Sequence, residues 1–358
     1  MIHLEAGGLS AYQFSYLQPV TTSRTKHAQR SGLFVWLRDS RGRRGWGEAA
    51  PLVGHSLEHE ADARAALQRV LRVPLLDIDP LDALDSITNW LSALEPLPPS
   101  ARFALETALL DLVAQTRAIP IHRVLRADRP APVPLAGLLA GDNEDALESQ
   151  AQALHDSGIL TWKIKLGSEG LDLAQRTVLT RWRRHLADRL VLRADANGSL
   201  LPHLVPPVCE QLAEWRCEYL EQPLPVGMLE RIPSPLPLPI AADEELRDAD
   251  GIEQALRHPS IRVLVIKPAM LGGLIPALAL ASRAREVGKQ VVITHMLEAE
   301  VAFAAACELA LALDPAPLAC GLVPLPIDDC SIACGSLPQR RGNQLVGDGY
   351  VGLGTAPE

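Results

Sequence analysis

The sequence predicts an α/β protein: a (β/α)8-type barrel preceded by a small α+β domain. Two observations carry this prediction. Beyond about residue 130, apolar strand-like runs alternate with amphipathic helical segments, and eight such strand candidates imply right-handed βα units that close naturally into a barrel. Before that point, short alternating runs are broken by turn residues and then give way to Ala- and Leu-rich helical stretches. A doubly wound open sheet has the same alternation and is the alternative.

The N-terminal strands are read at LSAYQFSYL, at GLFVWLRD and, after the polar turn SRGRR, at GWGEAAPL. They suit a small antiparallel sheet. Helical spacing of Ala and Leu follows in HEADARAALQRVL, LDALDSITNWLSAL and ARFALETALLDLVAQ. The barrel strands are read at PLAGLLAG, LTWKIKLG, LVLRADAN, EYLEQPL, LPIAADEE, IRVLVIKPA, QVVITHM and PLACG. Helices are expected between them near 143–157, 170–187, 204–215, 248–257, 273–287 and 299–313, with a short one after the fourth strand. The organisation is therefore an N-terminal domain over 1–127, a barrel with the reactive site over 128–321, and a tail over 322–358 that returns to the first domain.

At 358 residues, 47% hydrophobic and 22% charged, the chain is long enough for two domains and can bury a large core. Aromatic residues make up 4% and the formal charge is −9, which argues against a nucleic-acid partner. No stretch approaches the length of a membrane span and the start lacks a signal-like pattern, so the expectation is a cytoplasmic protein without a membrane partner. The six cysteines include no CxxC pair; reduced thiols are expected. Oligomeric state is not legible.

Reactive groups of such barrels project from the C-terminal ends of the strands. Lys163 and Lys165 end the second strand, Asp195 and Asn197 the third, Glu221 the fourth, Asp243 with Glu244 and Glu245 the fifth, and Lys267 the sixth. From Asp195 to Lys267 the steps are 26, 22 and 24 residues, about one βα unit each. Three carboxylates on adjacent strand ends repel unless a divalent cation lies between them. Oxygen-only ligands select a hard ion, Mg²⁺ first and Mn²⁺ as an alternative. Lys163 and Lys165 are two apart on a strand and share a face, while Lys267 approaches from the opposite side. Crowding by other cations and desolvation would lower a lysine's pKa towards that of a general base.

The runs K-I-K, L-R-A-D-A-N, Y-L-E-Q-P, I-A-A-D-E-E and V-I-K-P-A-M-L-G-G resemble, in order and spacing, the strand-end motifs of the enolase superfamily in its muconate-lactonizing subgroup. The resemblance covers nearly the whole chain and implies a (β/α)7β-type TIM barrel with an N-terminal α+β capping domain. It implies that Asp195, Glu221 and Asp243 bind Mg²⁺, that Lys165 and Lys267 form the acid/base pair assisted by Lys163, and that the shared step is abstraction of the proton α to a carboxylate.

R-S-G-L-F-V-W-L with G-W-G-E-A-A-P-L-V-G-H-S, together with Arg193 two before Asp195, looks like the o-succinylbenzoate synthase family of the proteobacterial type. That resemblance implies a small carboxylate substrate and dehydration of 2-succinyl-6-hydroxy-2,4-cyclohexadiene-1-carboxylate, a carbon-oxygen lyase step of menaquinone synthesis. Arg193, Asn197, Gly272 and Gly273 are candidate substrate contacts, the glycines through backbone N–H groups. His295 and Met296 stand where that family more often carries small hydroxyl residues, and His295 is read as a packed residue. The 20–31 segment with Arg24, Lys26 and Arg30 is read as a flap, with Gly47 and Glu48 at its base. A dipeptide epimerase or N-acylamino acid racemase with the same metal site is the nearest alternative, against which THMLEAE lacks a D-x-D motif. A non-catalytic binding barrel is the remote one.

Overall fold

In the N-terminal part of the computed structural model, β1 (Leu4–Thr21), β2 (Lys26–Asp39) and β3 (Arg44–Ala49) form an antiparallel sheet in that order. The structure describes residues 1–21, 26–72, 77–94, 96–126, 130–324, 327–328, 334–335 and 338–357. Arg24 of the expected flap, Cys330 and the expected boundary at 127/128 lie outside the described residues. Helices α1 (Glu60–Val70), α2 (Ala83–Ser92), α3 (Pro99–Arg117) and the short α4 (Ile121–Leu125) follow.

Helix α3 is buried on nearly every side from Ser100 to Ala114, which explains why its pattern reads as apolar all round. Strand β3 lies directly on it. A Cβ added at Gly47 would stand 1.9 Å from the Ala104 carbonyl oxygen, so only glycine permits that approach.

After a two-residue strand β4 (Val133–Pro134), the βα rhythm appears as expected. The elements are β5 (Ala136–Leu139), α5 (Glu144–Asp156), β6 (Thr161–Lys165), α6 (Leu173–Leu186), β7 (Val191–Asp195), α7 (Val205–Glu214), β8 (Cys217–Glu221), β9 (Ile240–Ala242), α8 (Ala249–Arg257), β10 (Ile261–Ile266), α9 (Pro268–Leu271), α10 (Leu274–Glu286), β11 (Gln290–Ile293) and α11 (Glu300–Ala312). Only a 3-10 turn at Leu229–Arg231 stands between β8 and β9.

Strands β5 to β11 form one parallel sheet in sequential order. The segment 318–321 closes it, because Leu318 and Gly321 donate to the Val291 and Ile293 carbonyls while Cys320 donates to Pro134 and Ala136 donates to Cys320. The fold is thus a (β/α)7β barrel, and the open doubly wound sheet is excluded. Tyr219, Ala241, Val263, Val265 and Val292 fill the interior with Leu318. The alternate residues, among them Leu220, Ile240, Leu264 and Ile266, face the helices.

The tail runs back over both parts. The Ser15 and Asp328 backbones pair, Leu353 N donates to Asp111 Oδ1, and the hairpin Gln339–Arg341/Gln344–Val346 adds to β4. Cys209, Cys217, Cys307 and Cys320 are buried free thiols.

Candidate active site

Barrel register decides which side chains meet. Lys165 is paired with Asp195, Asp195 with Glu221 and Glu221 with Ala241, so Lys165, Asp195 and Glu221 stand at one level of the rim and Asp243 one step higher. Asp195, Glu221 and Asp243 are each about 1% exposed. Lys163 Nζ bridges Asp195 Oδ2 at 3.1 Å and Glu221 Oε1 at 2.8 Å. Lys165 Nζ lies 2.8 Å from Asp195 Oδ2 and donates to Asn197 Oδ1 at 2.5 Å. Across the mouth, Lys267 Nζ reaches both oxygens of Asp243 at 2.6 Å. The structure therefore gathers three lysines and three acids from five strand ends into one cluster.

The electrostatics follow from that packing. Burial alone would ease deprotonation of Lys163, but the charges of Asp195, Glu221 and Asp243 outweigh it and hold its ammonium well above the ordinary range. Lys267 is raised in the same way, Asp243 and Glu244 overcoming its burial. Both directions run opposite to the lowering expected from the sequence. The expectation counted neighbouring cations and left out the carboxylates that face them more closely.

For Asp195 the balance of burial against Lys163 and Lys165 falls well below the usual carboxylate range. Glu221 is pushed up to about 8, by burial first and then by the Asp195 charge. Its Oε2 is fully buried and has no hydrogen-bond partner among the described residues, and the same holds for Glu244 Oε2.

Those two orphaned oxygens bear on a metal. As placed, each acid is turned onto a lysine, and no three His, Cys, Asp or Glu side chains among the described residues are spaced to enclose an ion. The donor set nonetheless fits a hard cation. It is all oxygen, Asp195 and Glu221 already share one positive group, and Glu221 keeps an oxygen with nothing to bind. Lys163 and Lys267 supply the positive charge that the acids require.

The other sequence candidates separate. Asn197 belongs to the cluster: it accepts from Lys165, and its Nδ2 donates to Glu244 Oε1 at 3.1 Å. Arg193 does not reach the rim. It is 2% exposed inside the barrel, its Nε 2.6 Å from Glu218 Oε2, its Nη1 donating to the Ala319 carbonyl at 2.5 Å and its guanidinium over the Tyr219 ring. The register shifts between Leu192 and Ala194, so Glu218 and Tyr219 both stand opposite Arg193 and engage it.

Gly272 and Gly273 also have their groups committed. Gly273 N donates to Pro268 O at 3.0 Å, and the Gly272 carbonyl accepts from Arg102 at 2.6 Å. Ile275 N, in the first turn of α10, donates to Glu106. This end of α10 therefore serves the protein rather than a substrate carboxylate. His295 packs edge-on against Phe303 at 5.0 Å and its Nδ1 accepts from Leu297 N, and Met296 is 4% exposed.

Sequence reasoning named Glu244 at the end of the fifth strand without giving it a role, and passed over His55 and Glu106. His55 Nδ1 lies 3.9 Å from Glu244 Oε1 and brings the N-terminal domain to the rim. The available signal for Glu106 was an acid inside a helix apolar on all sides.

Residues 146–357 match the enolase C-terminal domain-like family. The chain belongs to the enolase superfamily. Residues 6–112 match the MenC N-terminal domain. An L-Lys-D/L-Arg epimerase of Methylococcus capsulatus is 32% identical over 78% of this chain and 79% of its own length. An o-succinylbenzoate synthase of Thermobifida fusca is 33% identical over 54% of this chain and 63% of its own. A Methylococcus capsulatus dipeptide epimerase structure, complexed with Mg and the dipeptide L-Arg-D-Lys, superposes with TM-score 0.86 at 26% identity over 99% of both chains. Enolase-superfamily relatives of this chain thus include epimerases and synthases, and a solved one holds Mg. Among the described residues no helix is long and apolar enough to cross a membrane.

Proposed function

We propose that the protein is an o-succinylbenzoate synthase, removing the proton α to a carboxylate and expelling water from 2-succinyl-6-hydroxy-2,4-cyclohexadiene-1-carboxylate. The observation that carries the proton chemistry is the pairing of Lys165 and Lys267 on opposite sides of one acidic cluster. Lys165, aligned by Asn197 Oδ1 and Asp195 Oδ2, takes the α-proton and returns it to the departing hydroxide, so that water leaves. Lys267 faces the developing enediolate from the other side, and Lys163 adds positive charge. Asp195, Glu221 and Asp243 would hold Mg²⁺, which when bound would supply positive charge to the substrate's carboxylate oxygens.

The MenC-type N-terminal domain supports the dehydratase over its relatives. So does the stretch after β11, whose Glu298 is already engaged by Met296 N and stands 3.6 Å from His295, leaving it ill placed for a substrate ammonium.

A second reading, dipeptide epimerase, is favoured by the 29–32% identity to such enzymes over about four-fifths of the chain. In it Lys165 and Lys267 alternate as bases. One assay separates the two. With Mg²⁺, the synthase reading expects o-succinylbenzoate from its precursor and no deuterium uptake by an alanyl-glutamate dipeptide in heavy water. Rapid exchange into the dipeptide without any dehydration would reverse the choice.

A further inference from the structure

Helices α5, α6 and α8 begin on their own caps, Asn143, Asp172 and Asp248, each side chain accepting an amide of its own first turn. The helices that follow β10 and β11 do not. Helices α10 and α11 start from Gly273 and Ala299, which offer no side-chain acceptor, and first-turn amides left inside a protein need partners. Those partners come from the N-terminal domain.

Glu106, fully buried in α3, accepts Ile275 N at 2.8 Å on Oε1. Glu48, fully buried in β3, accepts Ala299 N at 2.8 Å on one oxygen and Ala302 N at 2.9 Å on the other. The Tyr12 hydroxyl also donates to Glu48. Both carboxylates sit where a helix favours negative charge.

We propose that Glu106 and Glu48 are positioning residues, carboxylates of the N-terminal domain acting as the missing N-caps of α10 and α11 and thereby holding the reactive rim in register with the domain that covers it. The proposal rests on the proton chemistry assigned above to Lys267. Only α9, Gly272 and Gly273 separate Lys267 from α10. Arg102, one turn before Glu106, grips that connection by donating from Nη1 to the Gly272 carbonyl at 2.6 Å while lying 3.2 Å from Glu106 Oε2.

The connection before α11 is held alike, with Arg30 Nε donating to the Leu297 carbonyl at 3.1 Å and the Tyr16 hydroxyl to the same oxygen at 2.5 Å. Gly273 fits this role. A Cβ there would stand 2.3 to 2.5 Å from the Glu106 carboxylate atoms, so any other residue would push the cap away.

The test combines hydrogen exchange of the intact protein at the first turns of α10 and α11 with kcat and KM on the substrate it turns over. Glu106→Ala should speed exchange at Ile275 by at least about tenfold and lower kcat by about a hundredfold, as misplacement of a reacting group does, with KM little changed. Glu106→Gln, which keeps an accepting oxygen, should recover most of kcat. Glu48→Ala should do the same at Ala299 and Ala302. Should Glu106→Ala fail to fold, Arg102→Ala and Gly273→Ala disturb the cap from its other sides and carry the same expectation.

Unchanged kcat in a folded Glu106→Ala, or unchanged amide exchange, would overturn the proposal. Lys267→Ala should abolish turnover and leave amide protection intact. Turnover surviving in Lys267→Ala would instead sink the assignment of proton chemistry, while the exchange data would still decide the capping.

Discussion

Two groups of buried carboxylates occupy this protein, one at the barrel rim and one along the seam between the barrel and the N-terminal domain, and they are compensated differently. Asp195 at the rim faces the full charges of Lys163 and Lys165 and is held far down. Glu48, Glu106 and Asp111 along the seam accept backbone amides together with one side chain each, the Tyr12 hydroxyl, the Arg102 guanidinium and the Gln115 amide, and burial still pushes each up to about 7. The balance of neighbours decides the outcome: two ammonium groups outweigh the desolvation of Asp195, whereas at Glu221 burial and the Asp195 and Asp243 charges outweigh the single ammonium of Lys163.

The strongest way to break this contrast is at the rim. Lys165→Ala should lower turnover by roughly a thousandfold or more, within the range contributed by a positioned acid or base, while the thermal midpoint stays within a few degrees. Steady-state kinetics with a melting scan would check it, and intact activity would remove the contrast.

Next in size, Glu221→Gln should weaken Mg²⁺ binding by at least about a hundredfold, more than losing an outer-shell partner costs, as read by calorimetric titration. It should not lower the metal-free melting temperature, since it removes an acid that burial and Asp195 already disfavour.

The seam should respond to pH. A folded-state pKa near 7 lies above the unfolded carboxylate value, so the stability contributed by Glu48, Glu106 and Asp111 is fully present below about pH 4 and lost as pH rises through about 7. Urea unfolding at pH 5.5 and 8.5 should show wild type losing roughly 6 kcal/mol more, about 2 for each group, than the combined Glu48→Gln, Glu106→Gln, Asp111→Asn variant. Equal losses would mean the seam carboxylates do not titrate there. The smallest effect belongs to the surface. Arg216→Ala, removing a pair with Asp188 in which both side chains are mostly exposed, should change stability by less than about 1 kcal/mol.

Most of the rim was readable in the sequence because a buried parallel strand is a run of apolar residues, and the charge that ends it marks the place where the strand leaves the core. K-I-K, R-A-D and Y-L-E each announced a strand, its inward face and its outlet. Depth was not announced. Arg193 shares the inward face of Asp195, yet it lies two residues, about 7 Å, further down, and its partner Glu218 faces it only because of a register shift.

The lysine pKa shifts were misjudged because sequence spacing gives neighbours but not which of them are closest. The seam was the least legible region, since Glu106 and Ile275 are 169 residues apart and Glu48 and Ala299 are 251 apart. No local pattern connects a helix start to an acid so distant.

The returning C-terminal segment has a practical consequence for anyone wishing to exchange specificity between relatives. Asp328 pairs with Ser15, Gly352 with the start of α4 and Leu353 with Asp111. An N-terminal part transplanted without its own C-terminal segment would therefore meet a foreign partner along these contacts. A chimera built from two matched pieces, front and rear, would keep both strands of that knot from one parent.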